Sequence, residues 1–462
     1  MSDKENSLEL PEERLATTDS QGRRVFLHPL EVYGFYRRIR SWLHLVLLFV
    51  FLATPWIHWH GSQLILLDIP QRRFSFFGLT FWAHETPLVF FVFAGVALGL
   101  VWLTAIWGRV WCGYACPQTV FIEALYRRVE RLIEGNSHQR RALDKAAWSF
   151  HKIFLRGLKW VLYFAISWVI TNSFLAYFVG SQPLIDMVLN EPESHWVPFV
   201  MMLFWTLVLT FNFGWFREQF CVIMCPYGRF QSVMMDPHSM IVYYDQERGE
   251  PRKGSAPKGQ EGDCVNCYRC VAVCPTGIDI RRGVQMECIA CTACMDACDE
   301  IMTKVKKPKG LIRYARLAAP LSLPFRLFRP RVYLLTLLLG LLLGSFTYLI
   351  SMRQDISVEV LRAKGLPYTE ISDDIYSNHF VLEVNNLDFV TRSLQMSTET
   401  SVLELVTAQN PIEIPAGKTV RVDVFITFPV GFVEGGRKLA NIKIESKNLI
   451  LVKELPLVGP NR

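Results

Sequence analysis

The 462-residue sequence contains no G-x-G-x-x-G after a strand, and no other dinucleotide fingerprint stands out. Without a glycine turn to bring a helix N-terminus onto a pyrophosphate, direct binding of NAD(P)H or a flavin is not expected. The tail from about Asp355 to Arg462 holds no cysteine, which removes disulfides and a catalytic thiol from that part. Ser181 to His195 holds no lysine or arginine, only the acidic Asp186, Glu191 and Glu193. The first 40 residues are polar and the first apolar run is long enough to span a bilayer, so no cleavable signal peptide is expected.

What is abundant is apolar and aromatic character, 51% hydrophobic and 13% aromatic residues, with a mean hydropathy of +0.22, more than a soluble enzyme needs. A bilayer core takes about 20 mainly apolar residues per helix. Five stretches qualify: about Trp42 to Trp59, Pro87 to Trp107, Gly157 to Gly180, Trp196 to Phe216 and Val332 to Met352. Lysine and arginine crowd Gly108 to Lys159 and Arg217 to Arg331 but are missing from Ser181 to His195. The positive-inside rule then places the amino terminus and residues 227–331 in the cytoplasm and everything after the fifth span outside. The net charge of +7 follows from this asymmetry and does not point to nucleic acid. A multi-pass membrane protein is expected.

Eight of the 12 cysteines form two runs of identical spacing. Cys264, Cys267, Cys270 and Cys274 follow C-x2-C-x2-C-x3-C-P, and Cys288, Cys291, Cys294 and Cys298 repeat it with Asp299 in place of the proline. This is the bacterial ferredoxin pattern, in which the fourth cysteine of each run ligates the cluster of the other. One 4Fe-4S cluster is therefore expected on Cys264, Cys267, Cys270 and Cys298, and a second on Cys288, Cys291, Cys294 and Cys274. Structural zinc or disulfides are the rival readings of Cys-x2-Cys pairs. Zinc knuckles do not repeat an eight-cysteine pattern of this kind, and a cytoplasmic segment disfavours disulfides.

The other four cysteines lie in "WGRVWCGYACPQTVF" and "WFREQFCVIMCPYGRF", as Cys112 with Cys116 and Cys221 with Cys225, each pair followed by a proline. The repeat makes the first two spans match the third and fourth. Cysteines at i and i+4 are expected on one helix face, and Pro117 and Pro226 at a helix end or a new first turn. Facing each other, the pairs form a candidate thiolate site for Cu(I), a soft ion suited to sulfur. Another iron-sulfur cluster, a thiol/disulfide relay and plain buried cysteines are alternatives. His58, His60 and His84 are read as interfacial residues before metal ligands, and Met201 and Met202 as lipid-facing or core residues.

After about Asp355 the period changes. "ISVEVL", "HFVLEVNN", "SVLELVTA" and "TVRVDVFITF" alternate apolar and polar residues between turns, an immunoglobulin-like β-sandwich signature. The expected architecture is an α-helical transmembrane bundle of about five spans, a 2x4Fe-4S ferredoxin domain and a C-terminal all-β sandwich. Its segments are 1–40 amino-terminal, 41–226 four-span core, 227–331 ferredoxin domain with linker, 332–352 fifth span and 353–462 interaction module.

The paired C-x3-C-P motifs, the double ferredoxin run and the sandwich after a last span together resemble the FixG/CcoG (RdxA) family, accessory proteins of cbb3-type cytochrome c oxidase. The resemblance covers nearly the whole chain. It implies a polyferredoxin electron-transfer protein that supports oxidase assembly, an oxidoreductase reducing Cu(II) to Cu(I) for copper delivery. It also implies copper chaperones or transporters and the oxidase assembly machinery as partners. Electrons would come from a cytoplasmic ferredoxin or flavodoxin. A quinol dehydrogenase resembling the NapH type shares the four-span core and all three cysteine motifs but lacks the fifth span and sandwich. A non-catalytic assembly scaffold is the third class.

Overall fold

The computed structural model describes residues 17–18, 21, 23–59, 62–70, 73–81, 86–189, 196–255, 257, 259–316, 328–352, 356–363, 365–372, 375–386, 390–415, 418–446 and 449–460. Two compact units divide the chain, Met1–Phe346 and Thr347–Arg462.

Among the described residues five helices are long and apolar enough to cross a membrane: Phe35–Trp56, Leu88–Trp107, Phe150–Val179, Trp196–Phe216 and Pro330–Ser351. The regular α-helical portions of the first four are α1 (Phe35–Ala53), α2 (Thr86–Trp107), α3 (Phe150–Val179) and α4 (Trp196–Phe211). The first and third begin before the apolar runs at Trp42 and Gly157 do. Their polar first turns stay helical because other parts of the unit satisfy them. Gly34, before α1, has no side chain to cap the helix, and Asp296 accepts hydrogen bonds from the backbone N of Tyr36 at 3.2 Å and of Arg37 at 2.7 Å instead. A Cβ at Gly34 would run into that carboxylate. Asp296 thus anchors a membrane helix to the ferredoxin region.

The ferredoxin region closes with an antiparallel strand pair, Met240–Tyr244 against Ile312–Arg316, on either side of the two cysteine runs. Helix α5 (Ala293–Lys304) carries the end of the second run. The missing proline explains its length: the first run has only the short helix Arg269–Ala272 before Cys274 and Pro275, whereas the helix of the second run continues through Cys298 and Asp299. Asp299 then accepts from Gly310 N at 2.8 Å. Within 247–262, read as a linker, the chain folds back, with Lys253 N on Cys264 O and Gly262 N on Pro251 O at 2.9 and 2.8 Å. Helix α6 (Pro330–Ser351), the last span, meets α2 where Trp102 Nε1 donates to Thr336 Oγ1 at 2.8 Å.

The second unit is the expected sandwich. One sheet runs Glu404–Thr407, Thr419–Pro429, Ile375–Asn386, Ile356–Arg362, with Thr369–Ser372 also pairing Ile375–Asn386; the other runs Ile412–Ile414, Arg392–Thr398, Arg437–Ser446, Leu449–Val458. Alternate residues point inward, so Phe380, Leu382, Val424, Ile426, Ile442 and Leu455 form the core. Asn378, buried at its edge, stitches the sheets through Val458 N and O.

Candidate functional site

The two ferredoxin runs lie together, with thiols of each run near thiols of the other. Burial pushes the Cys270 thiol up to about 12; Arg281 opposes this, while Asp279, Cys267 and Cys264 add to it. Burial likewise lifts Cys298 to about 12, with Cys270, Cys264 and Cys267 among its charged neighbours. In the other group burial lifts Cys288 to about 12, and Cys274 and Cys291 stand close by. Cys294 is also raised by burial and neighbours Cys291, Cys288, Cys274 and Cys270. Cys298 therefore lies near thiols of the first run, and Cys274 near thiols of the second. Each run also contains two residues in the left-handed region, Asn266 and Tyr268 in the first, Ala290 and Thr292 in the second. These non-glycine outliers curl each loop back on itself. Buried thiols that are costly to ionise alone fit a group that binds them as thiolates.

The C-x3-C-P motifs form a third group, but not by sharing a helix face. At Cys116 and Cys225 the backbone is extended, and Pro117 and Pro226 each open a new helix. The i, i+4 helical expectation fails because the residue before proline is driven out of the helical region. The four thiols nevertheless neighbour one another: burial raises Cys112 to about 12, with Cys116 and Cys225 nearby, and burial raises Cys221, with Cys116, Cys112 and Cys225 nearby. Cys112 Sγ donates to Gln231 Oε1 at 3.2 Å. Among the described residues no three His, Cys, Asp or Glu side chains stand close enough to hold a single ion.

The first motif lies directly on the second ferredoxin loop. A Cβ on Gly113 would come within 2.7 Å of Ile289 O and 2.8 Å of Ala290 O, so only glycine permits the contact. Tyr114 Oη meets Thr292 Oγ1 at 2.9 Å, and Arg40 Nη1 donates to Cys291 O at 2.8 Å. Arg109 joins all three parts, reaching Met286 O, Cys288 O and Gly228 O.

Beside this contact lies a buried charge network that patterning read only as positive-inside charge. Glu123 receives Arg37, Arg40 and Arg127, and Arg127 continues to Glu218. Glu130 receives Arg217 and, at 2.9 Å, Arg140; Arg217 also donates to Tyr163 Oη at 2.9 Å. Burial by itself would raise both glutamates, but the arginines outweigh it and hold both carboxyls well below the usual range. Wide π-turns bracket the network at Ile122–Tyr126, Asn212–Phe216 and Phe220–Met224, and Arg217 has φ +48°. Such distortions concentrate at functional sites. The available sequence signal was Glu123 four residues before Arg127.

His58 Nε2 pairs with Ser181 Oγ at 3.2 Å, an ordinary structural contact. His60 and His84 lie outside the described residues. Met201 is half exposed and Met202 buried, as read from the sequence.

Family models match three parts of the chain: a 4Fe-4S binding domain over residues 88–135, a 4Fe-4S dicluster domain over 216–317, and the Ig-like fold at the C-terminus of FixG over 346–460. Protein RdxA of Cereibacter sphaeroides is 33% identical over 91% of this chain and 93% of its own. Protein RdxB of the same organism is 35% identical over 89% and 90%. Nitrogen fixation protein FixG of Rhizobium meliloti is 40% identical over 64% and 58%. With 4Fe-4S domains matched over both sets of cysteine motifs, five apolar helices among the described residues and the sandwich in the same order, the chain is a membrane iron-sulfur protein and belongs to the FixG/CcoG family.

Proposed function

We propose that the chain is a cupric reductase of the cytoplasmic membrane, passing electrons from a soluble donor to copper held by Cys112, Cys116, Cys221 and Cys225. The observation that carries this reading is the seat of Gly113 on the Ile289 and Ala290 carbonyls, which brings the loop of Cys288 and Cys291 against the first C-x3-C-P motif. Clusters held by Cys264, Cys267, Cys270 and Cys298, and by Cys288, Cys291, Cys294 and Cys274, supply one-electron storage when bound. The substrate Cu(II) gains one electron and leaves as Cu(I), the state that thiolates prefer. Cys112 and Cys221, protonated while unligated, release their protons on binding, and Arg109 holds the loops together. A ferredoxin or flavodoxin would dock by charge on the basic cytoplasmic face, and Cu(I) would pass to a copper chaperone or transporter for cbb3-type oxidase assembly.

A second reading, quinol oxidation, draws on a mainly apolar cavity of about 310 Å³ beside Cys288, bounded by Arg109, Met240 and Ile280. Anaerobically purified protein separates the two by reduction with quinol or by reduction of Cu(II). The protein should carry about eight iron atoms. Replacing all four membrane-edge cysteines by serine should keep that iron and abolish copper binding and Cu(II) reduction. Parental copper reduction in this variant would sink the proposal. A fall from about twelve iron atoms to eight would instead assign the four thiols to a third cluster, in keeping with the 4Fe-4S binding domain matched over 88–135.

Sidedness is tested separately. A reporter inserted at Gly254, where a side chain would meet nothing within 4 Å, should read cytoplasmic, and one fused after Arg462 should read periplasmic. Both in one compartment would refute the five-span topology.

A further inference from the structure

A cavity of about 430 Å³ opens between the amino-terminal turn of α1, the segment after the first C-x3-C-P motif and both ferredoxin runs. Seven arginines line it against two glutamates, Glu31 and Glu123. Glu123 is already shared by Arg37, Arg40 and Arg127, and Glu31 is taken by Arg131 at 2.7 Å. Arg140 is held by Glu130. Arg38 and Arg128, both exposed, have no ion-pair partner among the described residues. The cavity is therefore strongly cationic after internal pairing, and its two free guanidiniums stand at the mouth.

The same mouth is apolar on its membrane side. Trp42 and Leu45 line it, and with Val46 and Phe49 they form an exposed stripe at i, i+3, i+4 and i+7 leading down α1. A basic hollow at the head of an outward-facing apolar stripe is complementary to an amphiphile with an anionic head. We propose that this cavity binds an anionic phospholipid, its phosphodiester between Arg38 and Arg128 and its acyl chains along Trp42, Leu45, Val46 and Phe49. Guanidinium groups suit phosphate because their paired N–H donors match its oxygens. Val273, Pro275 and Ala293 also line it, next in sequence to Cys274 and Cys294, so the bound headgroup touches the ferredoxin runs as well as the membrane helix.

The test uses the full-length protein, titrated with phosphatidylglycerol or phosphatidylcholine in detergent and read by native mass spectrometry, with inorganic phosphate as competitor. Phosphatidylglycerol should bind stoichiometrically and in preference to phosphatidylcholine. The double variant Arg38→Gln, Arg128→Gln should bind it roughly thirty-fold more weakly, because both guanidinium–phosphate pairings are removed. Lys453→Gln, in the other unit, should bind as the parent does, and the cluster absorption of all variants should be unchanged. Equal binding of the two lipids, or unchanged binding in the double variant, overturns the site. Competition by inorganic phosphate as effective as by phosphatidylglycerol overturns the lipid assignment.

Discussion

Glu130→Gln should destabilise the membrane unit by roughly 3–5 kcal/mol, the cost of removing one side of a buried ion pair. The carboxylate is almost fully enclosed and receives Arg217 and Arg140. Glutamine keeps the shape and offers one acceptor, but leaves two guanidiniums without a counter-charge. Arg217 cannot turn to water, because its Nε is fixed on Gly214 O at 3.0 Å and its Nη2 on Tyr163. The direction with pH follows from linkage. The folded carboxyl is held below its unfolded value of about 4.3, so its contribution is complete above that value and declines progressively as pH falls from there toward the lower folded value. Thermal unfolding in detergent should separate variant and parent at pH 7, and the gap should narrow below about pH 4. A constant gap across that range would mean that packing, not charge, is what the substitution disturbs.

Gly113→Ala should cost roughly 1–3 kcal/mol, as overpacking does, and should uncouple the two thiol regions. The new Cβ meets backbone carbonyls, which cannot rotate away as a side chain can. Ile289 and Ala290 lie between Cys288 and Cys291, and Ala290 already has φ +51°, so the ferredoxin loop has little freedom to give way. The Cys112 segment must back off instead. Iron content should stay near parental, copper should still bind, and reduction of bound Cu(II) by a chemically reduced protein should slow markedly in stopped-flow absorption. Parental reduction kinetics in a folded Gly113→Ala protein would show that electrons do not cross at this contact.

The sequence carried the one-dimensional features well. Helix length and apolar content located five spans, and period two located the sandwich. What it did not carry depends on residues far apart meeting. Asp296 capping α1, Glu123 collecting three arginines and Gly113 lying on Ala290 leave no periodic trace. The helical reading of Cys112 with Cys116 failed for a local reason: spacing of four suggests a helix face, but the proline after each second cysteine breaks the helix there.

The cap on α1 also sets an order of manufacture. Asp296 is 260 residues later in the chain than Tyr36, whose amide it accepts. A ribosome therefore delivers the first membrane helix long before it delivers the carboxylate that finishes its end, which lies inside the second cysteine run between Cys294 and Cys298. Until then the opening turn of α1 has only solvent for a partner. Final seating of the earliest helix thus waits on one of the later folding events in the unit, and a chain starved of iron during synthesis should stall with its first span inserted but its end still accessible to proteases.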